Sequence, residues 1–228
     1  MRLAVSFLLL VLTALAASIP GLKRARDRQD RAALEKIVAE LAAKAERASD
    51  DASAHYHLAL AESYLAEVNL ELKLRNEAKA AAEAGIRAAE KAVALQSGNA
   101  EYHRILGTLC GQVIPANVLA GIRYGKCALE HVNKAIELNP KSWEAHLSRG
   151  VGNYYLPPSF GGGVGLAIKD FQKAIELNSR SADAYLWLGV AYRKTNQFAE
   201  ARKALEKSLE LNPDRLWAKE LLEKTPRE

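Results

Sequence analysis

From Arg31 onward, apolar residues recur every three or four positions, and no stretch alternates apolar and polar residues long enough to make a strand. In Arg31–Arg47 the stripe is Leu34, Ile37, Val38 and Leu41, which predicts an amphipathic helix with one buried face. Around the stripes the chain is rich in Ala, Leu, Glu and Lys, all strong helix formers. The beginning departs from this periodicity. Arg2 is followed by a run from Leu3 to Ile19 that is apolar all round, and then by Pro20-Gly21.

That run has two readings. Ala14-Leu15-Ala16 has the small-x-small form of a cleavage site, so residues 1–17 read as a signal peptide removed on export to the periplasm or beyond. The alternative is an uncleaved membrane anchor, for which a run of this length lies at the lower limit. Residues 18–30 then form a basic linker. Its cluster of Lys23, Arg24, Arg26 and Arg28, continued by Arg31, favours the anchor with the following domain held in the cytosol. The plainer reading of the cluster is a solvated face. No cysteine follows the run, which excludes a bacterial lipoprotein anchor.

One segment recurs through the rest. Lys-Ala-Val-Ala-Leu-Gln-Ser starts at Lys91, and Lys-Ala-Ile-Glu-Leu-Asn-Pro at Lys134. Lys-Ala-Ile-Glu-Leu-Asn-Ser starts at Lys173, and Lys-Ser-Leu-Glu-Leu-Asn-Pro at Lys207. The steps between these starts shorten along the chain. Small residues alternate with these segments at matching places: Gly107, Gly150 and Gly189 before, Ala128, Ala167 and Ala201 after. Small side chains at such places let two helices of a hairpin approach closely.

The pattern resembles the tetratricopeptide family, whose period of about 34 residues is the length of the last step. The last full repeat carries Tyr185, Leu188-Gly189, Tyr192, Ala201, Leu205, Ser208 and Pro213, and the resemblance covers residues 52–213. It implies an all-α solenoid of stacked antiparallel helix hairpins at 52–97, 98–140, 141–179 and 180–213. Arg31–Arg47 and Leu216–Lys224 would cap its ends. The two longer steps imply insertions between the helices of two hairpins. One lies around Val113–Lys126, with Pro115 and Gly121 expected to break the helix; the other is Leu156–Gly163. In the second insert, Phe160 is expected to pack back onto the scaffold or to roof part of the groove beside Tyr154 and Tyr155. Arg149 stands where the family buries a Leu and is expected to pack its stem while its head stays wet. The Pro-Pro-Ser-Phe-Gly-Gly insert and its place in the repeat also resemble two other groups. These are the exported helical-repeat T components of tripartite substrate-uptake transporters, and the regulators of microtubule dynamics. Neither resemblance implies catalysis.

The chemistry-bearing residues add little. Gly161-Gly162-Gly163-Val164-Gly165 precedes a helix but follows no strand and lacks the Gly-Lys-Ser/Thr of a phosphate loop, so it reads as a turn. Cys127 and His131 share a helix face, and with Cys110 and His103 they have the makings of a metal site. Plain buried thiols are the expectation, with a Cys110–Cys127 disulfide as the alternative if the domain is exported. Ser63, His55 and His57 do not form a nucleophile–base pair held by a third group. The reading is therefore of no enzyme, no cofactor and no metal. The net charge of +5 is spread among acidic residues, unlike the one-sided basic face of a nucleic-acid binder.

What the family resemblance implies is a concave groove lined by the first helix of each hairpin. Transferred here, the lining is His55, Leu58, Glu62, Leu65, Arg104, Thr108, Gln112, Leu147, Val151, Tyr154, Tyr155, Leu186, Val190, Arg193 and Lys194. The partner-binding set expected from it is Tyr154, Tyr155, Arg104, Arg193 and Lys194, with Phe160 of the insert. The tyrosines give contact area at low entropic cost, and the cations suggest an acidic protein or peptide partner. Leu58 and Glu62 stand where a clamp for chaperone C-termini needs Lys and Asn, which argues against that clamp. The main reading is a scaffold that binds a protein or peptide. The rival is a small-ligand component of a periplasmic uptake system, with an apolar pocket lined by Leu156, Phe160, Ile114 and Val118.

Overall fold

The computed structural model describes residues 19–116 and 118–227, so the expected signal or anchor at 1–17 lies outside it. Among the described residues there are helices and turns and no strand, and no helix is long and apolar enough to cross a membrane. The short helix α1 (Leu22–Asp27) falls within the segment expected as a linker, and α2 (Arg31–Arg47) follows it. Four antiparallel pairs come next: α3 (Ala52–Glu71) with α4 (Arg75–Leu95), α5 (Ala100–Val113) with α6 (Val118–Leu138), α7 (Trp143–Tyr155) with α8 (Val164–Leu177), and α9 (Ala182–Lys194) with α10 (Phe198–Leu211). The chain ends in α11 (Leu216–Glu223). Each helix packs chiefly on its neighbours in sequence, as in a solenoid.

The joints that lead into the four pairs are built alike. A short polar side chain caps each first helix: Asp51 Oδ1 accepts from Ser53 N at 2.9 Å, Asn99 Oδ1 from Glu101 N at 3.0 Å, Ser142 Oγ from Ala145 N at 3.1 Å, and Ser181 Oγ from Ala184 N at 3.2 Å. Four residues after the first three caps stands a buried histidine, and each ties the loop before its helix. The Nε2 of His55, His103 and His146 donates to the carbonyls of Ser49 (2.8 Å), Ser97 (2.9 Å) and Pro140 (3.2 Å). At the fourth joint the equivalent place holds Tyr185.

Within the pairs, glycine sets the approach. A Cβ at Gly107 would lie 2.9 Å from the Ala128 carbonyl oxygen and 2.6 Å from Val132 Cγ2. One at Gly150 would lie 2.5 Å from the Phe171 ring, and one at Gly189 2.8 Å from Leu205 Cγ. The first pair reverses the arrangement. Its close approach is made by Gly85 on the second helix, where a Cβ would be 2.9 Å from Glu62 Cβ and 2.6 Å from Leu109 Cδ2.

The insertions differ from expectation in detail. Pro115 sits in a single 3-10 turn, Ile114–Ala116, but α6 runs unbroken through Gly121. The extra residues mostly lengthen that helix to 21 residues, against 14 in α8 and in α10. In the third pair, Leu156 is buried and Pro158–Phe160 forms another 3-10 turn. Gly161 and Gly163 take φ of +83° and +120°, Gly163 N donates to Asn153 O at 2.8 Å, and a Cβ at Gly162 would collide with the Leu156 carbonyl. The tight turn directs Leu156 inward and leaves Phe160 64% exposed, so Phe160 does not pack onto the scaffold.

Two further expectations change. Arg149 does not simply extend into water: its Nε and Nη2 grip Asp170 of α8, with Nη2–Oδ1 at 2.6 Å, and Asn153 Nδ2 donates to the same carboxylate at 2.9 Å. Cys110 and Cys127 are not free thiols but form a disulfide that ties α5 to α6. With both sulfurs bonded, the thiolates needed for a Cys/His metal site are gone. His103 and His131 meet instead through their Nδ1 atoms at 2.9 Å.

Candidate functional site: the concave pocket

The first helices curl around a pocket of about 380 Å³. On α3 it meets Leu60, Ser63, Tyr64, Glu67 and Glu71, which share one helix face at spacings of three and four. On α5 it meets Arg104, Thr108 and Gln112, on α7 Leu147, Ser148, Val151 and Tyr155, and on α9 Asp183 and Trp187. Leu129 and Val132 of α6 back it, and Ile114 and Leu156 of the two inserts close one end. All three tryptophans of the chain, Trp143, Trp187 and Trp217, line it. Trp187 is the hub of an aromatic cluster, with ring centroids 5.3 Å from Trp217, 6.1 Å from Tyr155 and 5.9 Å from Tyr154.

Several polar side chains of this wall are committed to one another. Ser63 Oγ donates to Gln112 Oε1 at 3.1 Å, and Gln112 Nε2 returns a bond to the Ser63 carbonyl at 3.0 Å. Thr108 Oγ1 lies 2.9 Å from Ser148 Oγ. Arg104 directs its fork at Glu101, with Nε–Oε2 at 2.7 Å, and Tyr56 donates to the same carboxylate at 2.9 Å. Burial holds the Tyr155 hydroxyl well above the usual phenol range, helped by Tyr154, Glu71 and Glu67, so it stays a neutral donor. A ligand in the pocket therefore meets mostly apolar and aromatic surface.

One wall of the pocket comes from the two ends of the described solenoid. Leu22 and Ala25 of α1 are buried against α2 and α3, which turns Arg26 inward. Its guanidinium takes both Asp183 oxygens, at 3.0 and 3.1 Å, and lies 4.9 Å from the Tyr64 ring centre. Arg215, just before α11, is fully buried and reaches Glu67 at 2.7 Å and Glu71 at 3.1 Å. Asn212 donates to Asp27 at 2.9 Å, and Arg28 meets Asp214 at 3.5 Å on the surface. Burial works against the Asp183 carboxylate, but Arg26 and Arg215 outweigh it and hold its pKa below the ordinary value.

The structure divides the residues expected in the groove. Arg104, Thr108, Gln112, Leu147, Val151 and Tyr155 line the pocket; Tyr154, Arg193, Lys194 and Phe160 do not. Lys194 Nζ donates to the Tyr154 carbonyl at 2.9 Å and sits 4.2 Å over its ring, and Arg193 reaches the Lys224 carbonyl at 3.5 Å. His55, Leu58, Glu62, Leu65, Leu186 and Val190 are also outside the lining. On α3 the reason is Gly85, which draws the Glu62 face toward α4 and α5 and leaves Leu60, Ser63 and Glu67 facing inward. On α9, Leu186 and Val190 pack with Leu205 and Ala218, leaving Trp187 inward. The side chain of Val118 lies outside the described residues. The main features missed were Arg26, Arg215 and the tryptophans. One usable signal was the scarcity of Trp, with one each in α7, α9 and α11.

The stacked pairs and their lined concave face define a tetratricopeptide-type solenoid, a class of protein-interaction scaffold. Tetratricopeptide repeat profiles match residues 182–215 and 164–195. The profile of the regulator of microtubule dynamics protein 1-3 family matches residues 22–156, more than half of the chain, and the chain belongs to that family. No curated protein matches the chain in sequence. Among solved structures, a thermophilic tetratricopeptide protein of Thermus thermophilus is similar in fold, at 18% identity with a TM-score of 0.63, covering 88% of this chain and 97% of that one. Looser likenesses are YrrB, described as having an unusual peptide-binding site (24% identity, TM-score 0.43, 90% of this chain and 91% of that one), and MamA from Desulfovibrio magneticus RS-1 (17%, 0.46, 88% and 99%).

Proposed function

We propose that this chain is a non-catalytic scaffold that takes an apolar group of its protein or peptide partner into the concave pocket. The observation that carries this reading is a pocket of about 380 Å³ lined by three tryptophans and Tyr155, with the Ser63–Gln112 and Thr108–Ser148 pairs already bonded. That volume suits a short segment or a few large side chains, and it falls in the range of small-ligand sites. The rest of the partner lies across the rim made by Tyr154, Arg193, Lys194 and Phe160. Since Arg104 is held by Glu101 and Lys194 by the Tyr154 carbonyl, acidity is a lesser requirement of the partner than an apolar anchor.

The pocket also supports a second reading, a compact ligand held alone as in an uptake component. Tryptophan fluorescence separates the two. Filling the pocket with Val151→Phe should abolish binding in either case, whereas Phe160→Ala and Lys194→Ala should weaken only a protein partner. A partner that binds the filled variant as tightly as the natural chain would end the pocket reading.

We further propose export through residues 1–17. The disulfide supports this, because such bonds persist in oxidising compartments. N-terminal sequencing of the mature protein should begin near Ala17, with Cys110 and Cys127 resistant to thiol alkylation. An intact Met1 in a membrane fraction with both thiols alkylated would favour the cytosolic anchor.

A further inference from the structure

In a solenoid each unit touches only its neighbours, so nothing in the repeat itself makes the two ends meet. Here they meet over the pocket, through polar side chains. α1 packs on α2 and α3, and α11 packs on α10. Among the described residues the apolar cluster that holds Leu22 and Ala25 ends within α6, and the cluster that holds Ala218 begins in α7. The link between the ends is Arg26 to Asp183, Asp27 to Asn212, Arg28 to Asp214, and Arg215 to Glu67, Glu71 and the Arg26 carbonyl.

We infer that α1 is a latch on the concave pocket, held shut by Arg26 and Arg215 and opened when the two ends of the solenoid part. Arg26, Glu67, Glu71, Asp183 and Trp217 are wall residues of the pocket, so parting the ends removes one side of it. Two guanidiniums serve four carboxylates, Asp27, Glu67, Glu71 and Asp183. Withdrawing either cation leaves like charges facing each other, which drives the ends apart. The movement needs no repacking of a hairpin, because a small rotation at each joint sums along the stack. A bulky partner segment enters by this route, and the closed form keeps this side of the pocket walled until then. The inference rests on the pocket being the binding site, but the latch has a test of its own.

Lys36 of α2 and Lys219 of α11 are exposed and stand on the two sides of the latch. Labels on the full chain bearing Lys36→Cys and Lys219→Cys report the distance between them, the native cysteines being bonded. The expected result is one narrow distance, joined by a longer population when Arg26→Gln is added. About 1 M NaCl, where the screening length is about 3 Å, should shift the natural chain the same way by a smaller amount, since buried pairs are screened less. If Arg26→Gln loses helical signal, the salt series on the natural chain decides. A distance unmoved by both overturns the latch. In parallel, the uncharged dye N-phenyl-1-naphthylamine should enter the pocket several-fold faster in Arg26→Gln, read by tryptophan quenching. A bismaleimide staple between Arg28→Cys and Asp214→Cys should slow that entry. Ends that part without any dye binding would uphold the latch and count against the pocket; equal entry rates in stapled and open chains would overturn the latch as a gate.

Discussion

Arg215 donates to Glu71 at 3.1 Å across 144 residues of chain, joining the start of the last helix to the end of the third. The same guanidinium serves Glu67 and is fully buried. Breaking a buried pair from one side strands the other charge, at a cost of about 3–5 kcal/mol. Arg215→Met should therefore destabilise the chain by that order, measured by urea unfolding. A loss below about 1 kcal/mol would mean that water reaches Glu67 and Glu71 without it.

Among the first-helix crossings Gly107 has the least yielding neighbours, because backbone atoms of α6 lie 2.9 Å from a Cβ there as well as Val132. Gly107→Ala should cost roughly 1–3 kcal/mol, the range for overpacking. At Gly189 the nearest obstacle is the Leu205 side chain, which has room to shift, so Gly189→Ala should cost less. Gly98→Ala, with nothing within 4 Å, should stay within about 0.5 kcal/mol of the natural chain. Melting temperatures in any other order would contradict these crossings.

Burial pushes the Glu62 carboxyl from the ordinary 4.5 up to about 7, against the opposing pull of Arg87. A carboxyl whose pKa is raised on folding favours the folded state in its protonated form. Its contribution is fully present below pH 4.5 and is lost as pH rises through about 7. Glu62→Gln should remove that slope and be more stable than the natural chain at about pH 8, read as the urea midpoint across pH. Parallel pH profiles for the two proteins would refute it.

The Cys110–Cys127 bond closes a loop across 17 positions of sequence. A loop of about that length is worth roughly 3 kcal/mol in the chain-entropy account. Cys127→Ser should lower stability by that order, and reductant should lower only the natural chain. Equal melting of the natural chain with and without reductant would show that the bond contributes nothing.

The helix pairs were legible because the spacing of Gly, Ala and Asn-Pro marks crossings and helix ends at short range. The pocket was only half legible. Arg104, Thr108 and Tyr155 follow from their distance to a crossing glycine on their own helix or its neighbour in the stack. The α3 face did not follow, since its crossing glycine, Gly85, sits on the second helix. Arg26 read as a linker cation, and nothing in the sequence singled out Arg215. Their burial depends on how far the stack has curled after four pairs, a sum of small rotations that no local pattern encodes.

The histidines at 55, 103 and 146 fasten the loops that lead into the first three pairs, and both insertions lie at the opposite ends of the pairs. The pitch of the stack is thus standardised where units join, while the hairpin tips are free to change length. New residues at a tip reshape the end wall of the pocket and leave the curl that brings α1 and α11 together as it was. In such a chain, specificity can diverge by lengthening tips while the histidine-bearing joints stay constant.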